Sequence, residues 1–465
     1  MSHTFIRRAV ASASVAGLAA AMVAIAPGAP SIASAASDGG GVSPQVVLGH
    51  KFAATTGPPT SAQCIATYGI ACYSPMDMRR QYTFTGAYAK GANGAGQTIV
   101  IFDSFGSPTI AQDLATFDTS FNIPPPPSFK VYQPEGHITY DYLGASPSAV
   151  AASKAMQTEI GWGYETTLDV EWAHAMAPGA NIALVETPIP ETQGVQGLQN
   201  LQNAQQWALD NHIGTIWSDS WATTEQAFHN PSVIQRLDRF YATAAADGVT
   251  AFFAAGDSGV YNTNKQGVGY PYPTVNYPSS SPNVVSVGGT EIPVPQAAIT
   301  SYNPEAVWHD FAGAGGGGYS SVFSEPAYQQ TAAIADPTGM RGMPDVSYNA
   351  AIVSAILIYE SFDPTAPPSW VPIGGTSAAS PQWAAVAAIA NQADGPLGFL
   401  TPRLYQIYAT KTAYASAFHD ITAGTNSWNT VTGYSAAPGW DPASGLGTPD
   451  VSNLVTALKA TTPTS

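Results

Sequence analysis

Short apolar runs alternate with longer helical stretches along much of the chain. The apolar runs, rich in β-branched and aromatic residues, occupy positions 98–102, 181–185, 214–217, 250–254 and 283–287. Their length and continuous apolar character predict strands that are buried on both faces. Residues 163–177, 196–210 and 232–246 lie between these runs and have the pattern of helices. The alternation predicts an α/β fold in which a mostly parallel central sheet carries helices on both faces.

A further predicted helix follows a glycine-containing loop. Residues 374–381 read Gly-Gly-Thr-Ser-Ala-Ala-Ser-Pro and lead into the Ala-rich run 382–390. The two glycines allow a close backbone approach, and the Ala-rich run is a strong helix former. Ser377 therefore lies where a loop becomes a helix, and the unpaired N–H groups at that point favour developing negative charge. This setting suits a nucleophile; the alternative is that Ser377 only caps the helix.

Four carboxylates occupy positions where they can take part in chemistry. Asp103 and Asp257 each follow a predicted strand, and functional loops of parallel sheets lie at that edge. Glu165 and Asp169 are one helical turn apart, so their side chains share a helix face with Cβ atoms about 5–6 Å apart. The pair forms either a solvated acidic first turn or a relay in which Glu165 accepts the proton of Ser377 and Asp169 orients Glu165.

A carboxylate base predicts activity in acid. Free Glu has a pKa of about 4.3, so a serine activated by Glu165 works best at low pH. A protonated Asp257 can donate a hydrogen bond to the oxyanion of a tetrahedral intermediate, and loss of its proton removes that donor. The composition agrees, because 31 Asp and Glu residues against 15 Lys and Arg give a net charge of -16, which acid brings toward zero. The scarcity of Lys and Arg argues against a nucleic-acid partner.

The N-terminus predicts export. Arginines at positions 7 and 8 precede an apolar, Ala-rich run and then Ala-Ser-Ala at 33–35, which is typical of a signal-peptidase site. We therefore expect residues 1–35 to be a removed signal peptide and the mature protein to be secreted and extracellular. Pro27 and Pro30 break the run, which is short for a membrane span, so no membrane anchor is expected after signal removal.

The segment that follows is rich in Gly, Ser, Thr and Pro and has no clear period. We expect residues 36–73 to form a loosely structured arm, and residues 74–465 to form the ordered domain. Cys64 and Cys72 are the only cysteines, and in an exported protein such neighbours are expected to form a small disulfide loop. Four consecutive glycines at 315–318 are either a flexible linker or a backbone that lies close to a bound peptide.

Near the C-terminus, Asp420 and Asp441 lie in segments that contain glycine. Carboxylate and carbonyl oxygens in such a setting can hold a calcium ion. Alternatively, both aspartates only make Asx-turns.

Six motifs of this chain resemble those of the sedolisins, the serine-carboxyl peptidases. They are E-T-T-L-D-V-E at 165–171, S-D-S-W at 218–221, A-G-D-S-G at 255–259, Y-P-S-S-S-P at 277–282, R-G-M-P-D-V at 341–346 and G-T-S-A-A-S-P at 375–381. They occur in the order of the family, and the resemblance covers about residues 74–458. Together they are more specific than a single G-T-S-x-x-x-P motif.

The resemblance implies a subtilisin-like fold and an acid-active endopeptidase that hydrolyses proteins or peptides as a monomer. It implies the following roles: Ser377 as nucleophile, Glu165 as general base and acid, Asp169 as its orienting partner, Asp257 as the oxyanion-hole acid, and Asp103 as a further acid that extends the relay toward Trp221. It also implies one structural calcium ion, held by the carboxylates of Asp420 and Asp441 and by the carbonyls of Ile421, Ala437 and Gly439. Internal cleavage and release of tripeptides both fit the motifs.

One departure from the family concerns the propeptide. Most sedolisins carry a long one that assists folding and blocks the site, whereas here the expected arm is short, so a propeptide is predicted to be vestigial or absent. Folding would then rely on calcium or on a separate helper.

Three other hypotheses compete with the serine-carboxyl peptidase. A subtilisin-like enzyme would need His174, the only histidine on the helix predicted at 163–177, but it lies outside any H-G-x-H context. A secreted, non-catalytic binding protein on a peptidase scaffold is a second hypothesis. A glycosidase with two carboxylates is a third, and it leaves Ser377 and its loop unexplained.

Overall fold

A computed structural model describes residues 43–44, 47–49, 51–53, 57–189, 195–264, 266–334 and 336–462. The predicted signal peptide at residues 1–35 lies outside these ranges. Within them, no helix is both long enough and apolar enough to cross a membrane.

The secondary structure alternates in the predicted way. The helices are α1 (Ser61–Tyr68), α2 (Pro75–Gln81), α3 (Phe84–Ala89), α4 (Ile110–Phe121), α5 (Pro147–Ala152), α6 (Lys154–Met176), α7 (Val195–Asp210), α8 (Pro231–Ala246), α9 (Ala327–Ala332), α10 (Thr376–Asp394), α11 (Thr401–Ala409), α12 (Lys411–Ala417) and α13 (Val451–Leu458). The strands are β1 (Ser43–Pro44), β2 (Val47–Leu48), β3 (Phe52–Ala53), β4 (Ala71–Tyr73), β5 (Thr98–Ser104), β6 (Phe129–Tyr132), β7 (Asn181–Thr187), β8 (Ile216–Asp219), β9 (Trp221–Thr224), β10 (Thr250–Ala254), β11 (Asn276–Tyr277), β12 (Val285–Glu291), β13 (Ala306–Val307), β14 (Gly318–Ser324), β15 (Met340–Met343), β16 (Val346–Asn349), β17 (Ser354–Glu360), β18 (Ser369–Gly374), β19 (Phe418–His419) and β20 (Thr448–Pro449).

The central sheet is mostly parallel. Its strands follow the order β13-β12-β10-β8-β5-β7-β6, and β16 also pairs with β12. The edge strand β13 is antiparallel to β12, whereas the other pairings in this sheet are parallel. The apolar runs predicted as strands are confirmed as β5, β7, β8, β10 and β12.

Helices cover both faces of this sheet. Alternate residues of β5 point to opposite sides, so Ile99 and Ile101 share one buried cluster with residues of α6 and α10. Val100 and Phe102 belong to a second cluster with residues of α7 and α8. The predicted helices are confirmed, although α6 begins at Lys154, nine residues earlier than predicted, where Ser153 caps it. The predicted α/β fold with a covered parallel sheet is therefore confirmed.

The arm is more ordered than predicted. The expected disulfide between Cys64 and Cys72 is present, with Cα atoms 6.0 Å apart. It joins α1 to β4, and β4 pairs in parallel with β17 of a second sheet. Thr60 and Gln63 form a capping box at the start of α1. The prediction of a loosely structured segment is therefore wrong for residues 57–73, because a cap and a disulfide fix a helix too short to show a period.

The glycine run is not a linker. A Cβ atom at Gly316 would lie 2.3 Å from the carbonyl oxygen of Ala255, and one at Gly317 would lie 2.2 Å from the carbonyl oxygen of Pro442. Only glycine permits such close contact between backbones. The run therefore packs tightly against the loop that follows β10, where Gly316 N donates to Gly256 O at 2.7 Å.

Candidate active site

Ser377 lies in the first turn of α10, directly after the end of β18. Two glycines make this junction possible, since a Cβ atom at Gly374 would lie 2.5 Å from the carbonyl oxygen of Ala350 and Gly375 has a φ of 107°. The hydroxyl of Ser377 donates to the carbonyl oxygen of Ser220 at 3.3 Å. It does not cap the helix, so the capping alternative is wrong.

Ser220 links the serine to the acidic residues. Its hydroxyl donates to Asp169 Oδ1 at 2.8 Å, while its carbonyl accepts from Ser377. The same hydroxyl also lies 3.5 Å from the Ser377 carbonyl oxygen. That carbonyl lacks the usual helical partner because Pro381, four residues later, has no N–H. The proline of the motif thus leaves the backbone at Ser377 open to a side-chain donor.

Glu165 and Asp169 are fully buried on α6. Burial raises the pKa of Glu165 well above its usual range, and the charges of Asp169 and Asp103 raise it further. The pKa of Asp169 is also raised, first by burial and then by Asp103, although the Ser220 hydroxyl opposes the shift. A solvated acidic first turn is therefore wrong, and the carboxyls form a coupled group that retains protons.

The contact between Ser377 and Glu165 is loose. The Ser377 hydroxyl is close enough to the Glu165 carboxyl to lower its pKa. Its hydrogen bond of good geometry nevertheless goes to Ser220, and among the described residues neither carboxylate oxygen of Glu165 has such a partner. Catalytic hydrogen bonds of this kind often become short only when a substrate is bound. The geometry thus allows Glu165 to take the serine proton.

Asp103 is the penultimate residue of β5 and lies close to the same acidic group. It is fully buried, and within the described ranges neither of its oxygens has a hydrogen-bond partner of good geometry. Burial raises the pKa of Asp103 to about 7, and the hydroxyl of Thr166 acts against this rise. The Trp221 indole donates to the Phe102 carbonyl oxygen at 3.0 Å. In this structure Trp221 therefore holds the backbone beside Asp103 rather than its carboxyl.

Asp257 is bound through only one of its oxygens. Asp257 Oδ1 accepts from the backbone N–H of Thr376 at 2.7 Å and from its hydroxyl at 2.9 Å. Asp257 Oδ2 is buried and has no partner among the residues described. Burial raises the pKa of Asp257 to about 7, against the effect of the two Thr376 bonds. A protonated Oδ2 is therefore available as a donor beside Ser377.

Two further carboxyl groups lie near Asp103 and Asp169, and the sequence analysis did not select them as site residues. Glu186 lies opposite Asp103 in the β5–β7 register, and burial raises its pKa to about 8. Asp219 ends β8 and accepts from Gln205 Nε2 at 2.8 Å, and its charge helps to raise the pKa of Asp169. The signal that identified Asp103, a carboxylate at the end of a buried strand, also applies to both of these residues.

His174 contacts α4 and the segment after it, and not Ser377. Its Nε2 lies 3.3 Å from Asp118 Oδ1 on α4 and 3.0 Å from the Pro124 carbonyl oxygen. These contacts engage the imidazole with α4 and the segment after it, so the hypothesis that His174 activates Ser377 is wrong.

The predicted calcium ligands converge on one loop. Gly439 N donates to Asp420 Oδ2 at 2.9 Å, and Ala437 N donates to Asp441 Oδ2 at 3.0 Å. Asp441 Oδ1 also accepts from Ala443 N at 2.9 Å, which is an Asx-turn, whereas Asp420 makes none. No donor in the described part of the chain bonds the carbonyl oxygens of Ile421, Ala437 or Gly439. Two carboxylates beside three free carbonyls fit an oxygen-ligated cation.

Comparisons with known proteins identify the family of this chain. The subtilase family model matches residues 148–441. Kumamolisin from Bacillus sp. (strain MN-32) is 33% identical over 395 residues, which cover 83% of this chain and 63% of kumamolisin. Human tripeptidyl-peptidase 1 is 30% identical over 441 residues, which cover 88% and 69% of the two chains.

A solved structure extends the likeness to the fold. Pseudomonas sedolisin, complexed with two molecules of pseudo-iodotyrostatin, matches with a TM-score of 0.67 and 29% identity, covering 84% of this chain and 99% of that chain. The fold and the site thus define a serine peptidase scaffold of the subtilisin type. The chain belongs to the subtilase family and, within it, to the sedolisins, the serine-carboxyl peptidases. It spans 63% of the length of kumamolisin and 42% of the sedolisin from Pseudomonas sp. (strain 101).

Proposed function

We propose that this chain is a secreted, acid-active endopeptidase that cleaves proteins or peptides through an acyl-enzyme on Ser377. The observation that carries the proposal is the convergence of Ser377, two coupled buried carboxyls and Asp257 at one sheet edge. The names of kumamolisin, sedolisin and tripeptidyl-peptidase 1 support a peptide substrate. Secretion is supported by the signal-like sequence at 1–35.

The chemistry follows from the roles of these groups. Ser377 Oγ attacks the substrate carbonyl while Glu165, in its ionised form, takes the hydroxyl proton, and the neighbouring Asp169 keeps the proton that the coupled pair retains. The oxyanion accepts a hydrogen bond from the protonated Oδ2 of Asp257. When the intermediate collapses, Glu165 returns its proton to the leaving amine. Water then attacks the acyl-enzyme with Glu165 again as base, which releases the carboxylic acid and restores Ser377.

We assign a structural role to calcium in this proposal. The carboxylates of Asp420 and Asp441 and the carbonyls of Ile421, Ala437 and Gly439 would hold the ion, which would fix the C-terminal loop. It supplies no step of the reaction.

The test is hydrolysis of a denatured protein between about pH 2 and 8, with and without calcium, by the purified chain and by Ser377→Ala. We expect cleavage only in acid and its complete loss in the variant. If the folded, calcium-loaded chain cleaves nothing at any pH, the enzyme proposal is wrong and a binding role replaces it. Activity that persists in Ser377→Ala would assign the chemistry to other residues.

A further inference from the structure

Glu186 lies beside Asp103 at the sheet edge that carries the site. The two residues are partners in the parallel register of β5 and β7. Neighbouring strands lie about 4.8 Å apart, and directly opposite residues point to the same face of the sheet. Ile182 and Leu184, which alternate with exposed-face positions along β7, belong to the buried cluster that also contains residues of α6 and α10. Glu186 therefore lies on the sheet face that α6 covers.

Both carboxyl groups have an oxygen atom without a partner. Asp103 is fully buried and Glu186 almost fully. In the part of the chain that the structure describes, neither oxygen of Asp103 has a hydrogen-bond partner of good geometry, and the same holds for Oε1 of Glu186. Buried polar atoms are rarely left unpaired. A hydrogen bond between Glu186 Oε1 and Asp103 would pair one oxygen on each side.

Gln133 determines which oxygen of Glu186 is free. Its Nε2 donates to Glu186 Oε2 at 2.8 Å. Its Oε1 accepts from Ile138 N at 3.3 Å, which sets the orientation of the amide. Gly106 leaves room for the carboxyl, because a Cβ atom at this position would overlap Oε1 of Glu186. The fold thus holds Glu186 with Oε2 occupied and Oε1 available.

Asp103 connects Glu186 to the acids beside Ser377. Its charge raises the pKa of three other carboxyls, namely Glu165 and Asp169 on α6 and Asp219 on β8. The charge of Glu186 raises the pKa of Tyr140, and the charge of Glu159 acts in the same direction. The exposed His137 has its Nδ1 3.2 Å from Gln133 Oε1. Among the described residues neither Asp103 nor Glu186 forms an ion pair, so a hydrogen bond is the available compensation for a charge on Asp103.

We propose that Glu186 is a positioning residue of the acid relay, which donates a hydrogen bond from Oε1 to Asp103 and thereby stabilises the negative charge of the relay. This charge is present whenever Glu165 is ionised and ready to take the serine proton. Asp103 shares it because the acids beside Ser377 titrate as a coupled group. The proposal rests on the function proposed for Ser377 and adds Glu186 to that site.

The two carboxyls ionise in the order that this role requires. Burial raises the pKa of Asp103 to about 7 and the pKa of Glu186 to about 8. For Glu186, the hydrogen bond from Gln133 opposes the rise and the charge of Asp103 adds to it. Glu186 therefore still holds a proton when Asp103 ionises. A hydrogen bond to an ionised carboxyl lowers its pKa, so loss of the donor should raise the pKa of Asp103 and of the group coupled to it.

The first test is the pH dependence of kcat/KM for a peptide substrate, measured with the full chain from about pH 2 to 8. Glu186→Leu removes the donor. We expect the acid-side fall of kcat/KM to move up by about one pH unit, because the relay then releases its proton less readily. Glu186→Gln should keep the acid-side fall of the parent, because its amide oxygen can accept from Gln133 while its NH₂ group donates to Asp103.

Two controls separate this role from packing. Glu135→Leu removes a glutamate of the loop after β6 that accepts from Asn200 and Asn203, and it should leave the acid-side fall in place. In a chain that carries Asp103→Asn, Glu186→Leu should not move the acid-side fall further. Glu186→Met, which has an unbranched side chain of similar length, replaces Glu186→Leu if the latter does not fold.

The second test follows the Asp103 carboxyl itself, by NMR of isotope-labelled aspartate side chains in Ser377→Ala. The signal of Asp103 is the one that disappears in Asp103→Asn. We expect its pKa to rise by about one unit in Glu186→Leu and to stay unchanged in Glu186→Gln and Glu135→Leu. An Asp103 titration that is the same in Glu186→Leu as in the parent, or that shifts equally in Glu186→Gln, would overturn the proposal. Because this titration requires no cleavage, the role of Glu186 is decided separately from the proposed activity.

Discussion

Asp257 is held in a way that gives its two oxygens different tasks. Thr376 donates twice to Oδ1, once from its backbone and once from its hydroxyl. These bonds fix the carboxyl plane, while Oδ2 remains unpaired among the described residues and buried. With a pKa raised to about 7, Asp257 carries a proton on that oxygen throughout the acid range. The donor exists only while the proton does, so this residue should set the alkaline limit of activity.

Asp257→Asn tests that assignment. The amide oxygen should take the two Thr376 bonds, which leaves the NH₂ group in the place of the protonated Oδ2. Because an amide donor does not titrate, we expect the fall in kcat/KM around pH 7 to disappear, with a maximum about tenfold lower. The measurement is kcat/KM for a peptide substrate from about pH 3 to 8.

The control is Asp257→Ala, which has no donor at any pH and should be about 10²–10³-fold slower than the parent in the acid range, where the parent holds its proton. A variant Asp257→Asn that keeps the alkaline fall of the parent would assign the limit to another group.

The burial of α6 explains why the titrations of Glu165 and Asp169 are coupled. The helix is buried on nearly all sides from Glu159 onward, so its carboxyls have no access to water. Glu165 and Asp169 face Ser377 and Asp103, whereas Glu171 accepts from Tyr359 N at 3.1 Å on another side. A buried helix that carries Glu165, Asp169 and Glu171 is costly unless these acids bind protons, and the coupled pair of Glu165 and Asp169 shares them.

The loop after β19 begins with Asp420, one of the predicted calcium ligands. If one calcium ion binds Asp420 and Asp441, chelation should lower the melting temperature of Ser377→Ala by about 5 °C or more. Asp420→Asn should show the same loss without chelator, because it removes a carboxylate ligand while its amide oxygen can still accept from Gly439 N. Thermal unfolding followed by circular dichroism measures both.

Asp247→Asn removes an exposed carboxylate at the end of α8 and is the matched control, which should melt like the parent. Equal melting temperatures with and without chelator would argue that Asp420 and Asp441 serve only the loop.

The sequence predicts those helices and strands that a local residue pattern encodes. The continuous apolar run at 250–254 coincides with β10, and the Ala-rich run after Ser377 coincides with α10. The contact between Lys51 and Asp363 joins residues 312 positions apart, so no local pattern could reveal it. Ser220 lies in a motif that the sequence identified, but its bridging role depends on how α6, β9 and α10 meet.

Buried carboxyl groups affect the stability of the whole protein. Several are fully or almost fully buried and have raised pKa values, namely Asp103, Glu165, Asp169, Glu171, Glu186 and Asp219. Only Arg341 with Asp345 forms a fully buried ion pair among the described residues. The buried acids are thus compensated by protons rather than by cations.

This arrangement makes stability depend on pH in a defined direction. In the unfolded chain these carboxyls ionise near pH 4, whereas Asp103 in the folded chain retains its proton to about pH 7. Below pH 4 these carboxyls are protonated in both the folded and the unfolded chain, so they do not make the free energy of unfolding depend on pH. Between these values the folded chain binds more protons than the unfolded chain, so the free energy of unfolding falls as the pH rises. For Asp103 alone, the free energy of unfolding falls by about 4 kcal/mol between pH 4 and pH 7.

We therefore expect the Ser377→Ala chain to melt at a higher temperature at pH 4 than at pH 8, when measured by calorimetry at constant calcium. Asp103→Asn removes one group that must hold a proton in the fold, so the difference between the two pH values should shrink. Carboxyls with a lowered pKa, such as Asp363, act in the opposite direction. Their contribution to stability is lost only as the pH falls through a pKa below the usual Asp range. A melting temperature that is constant or rises toward pH 8 would mean that the buried acids ionise in the folded chain, and an acid-only peptidase would then need another explanation.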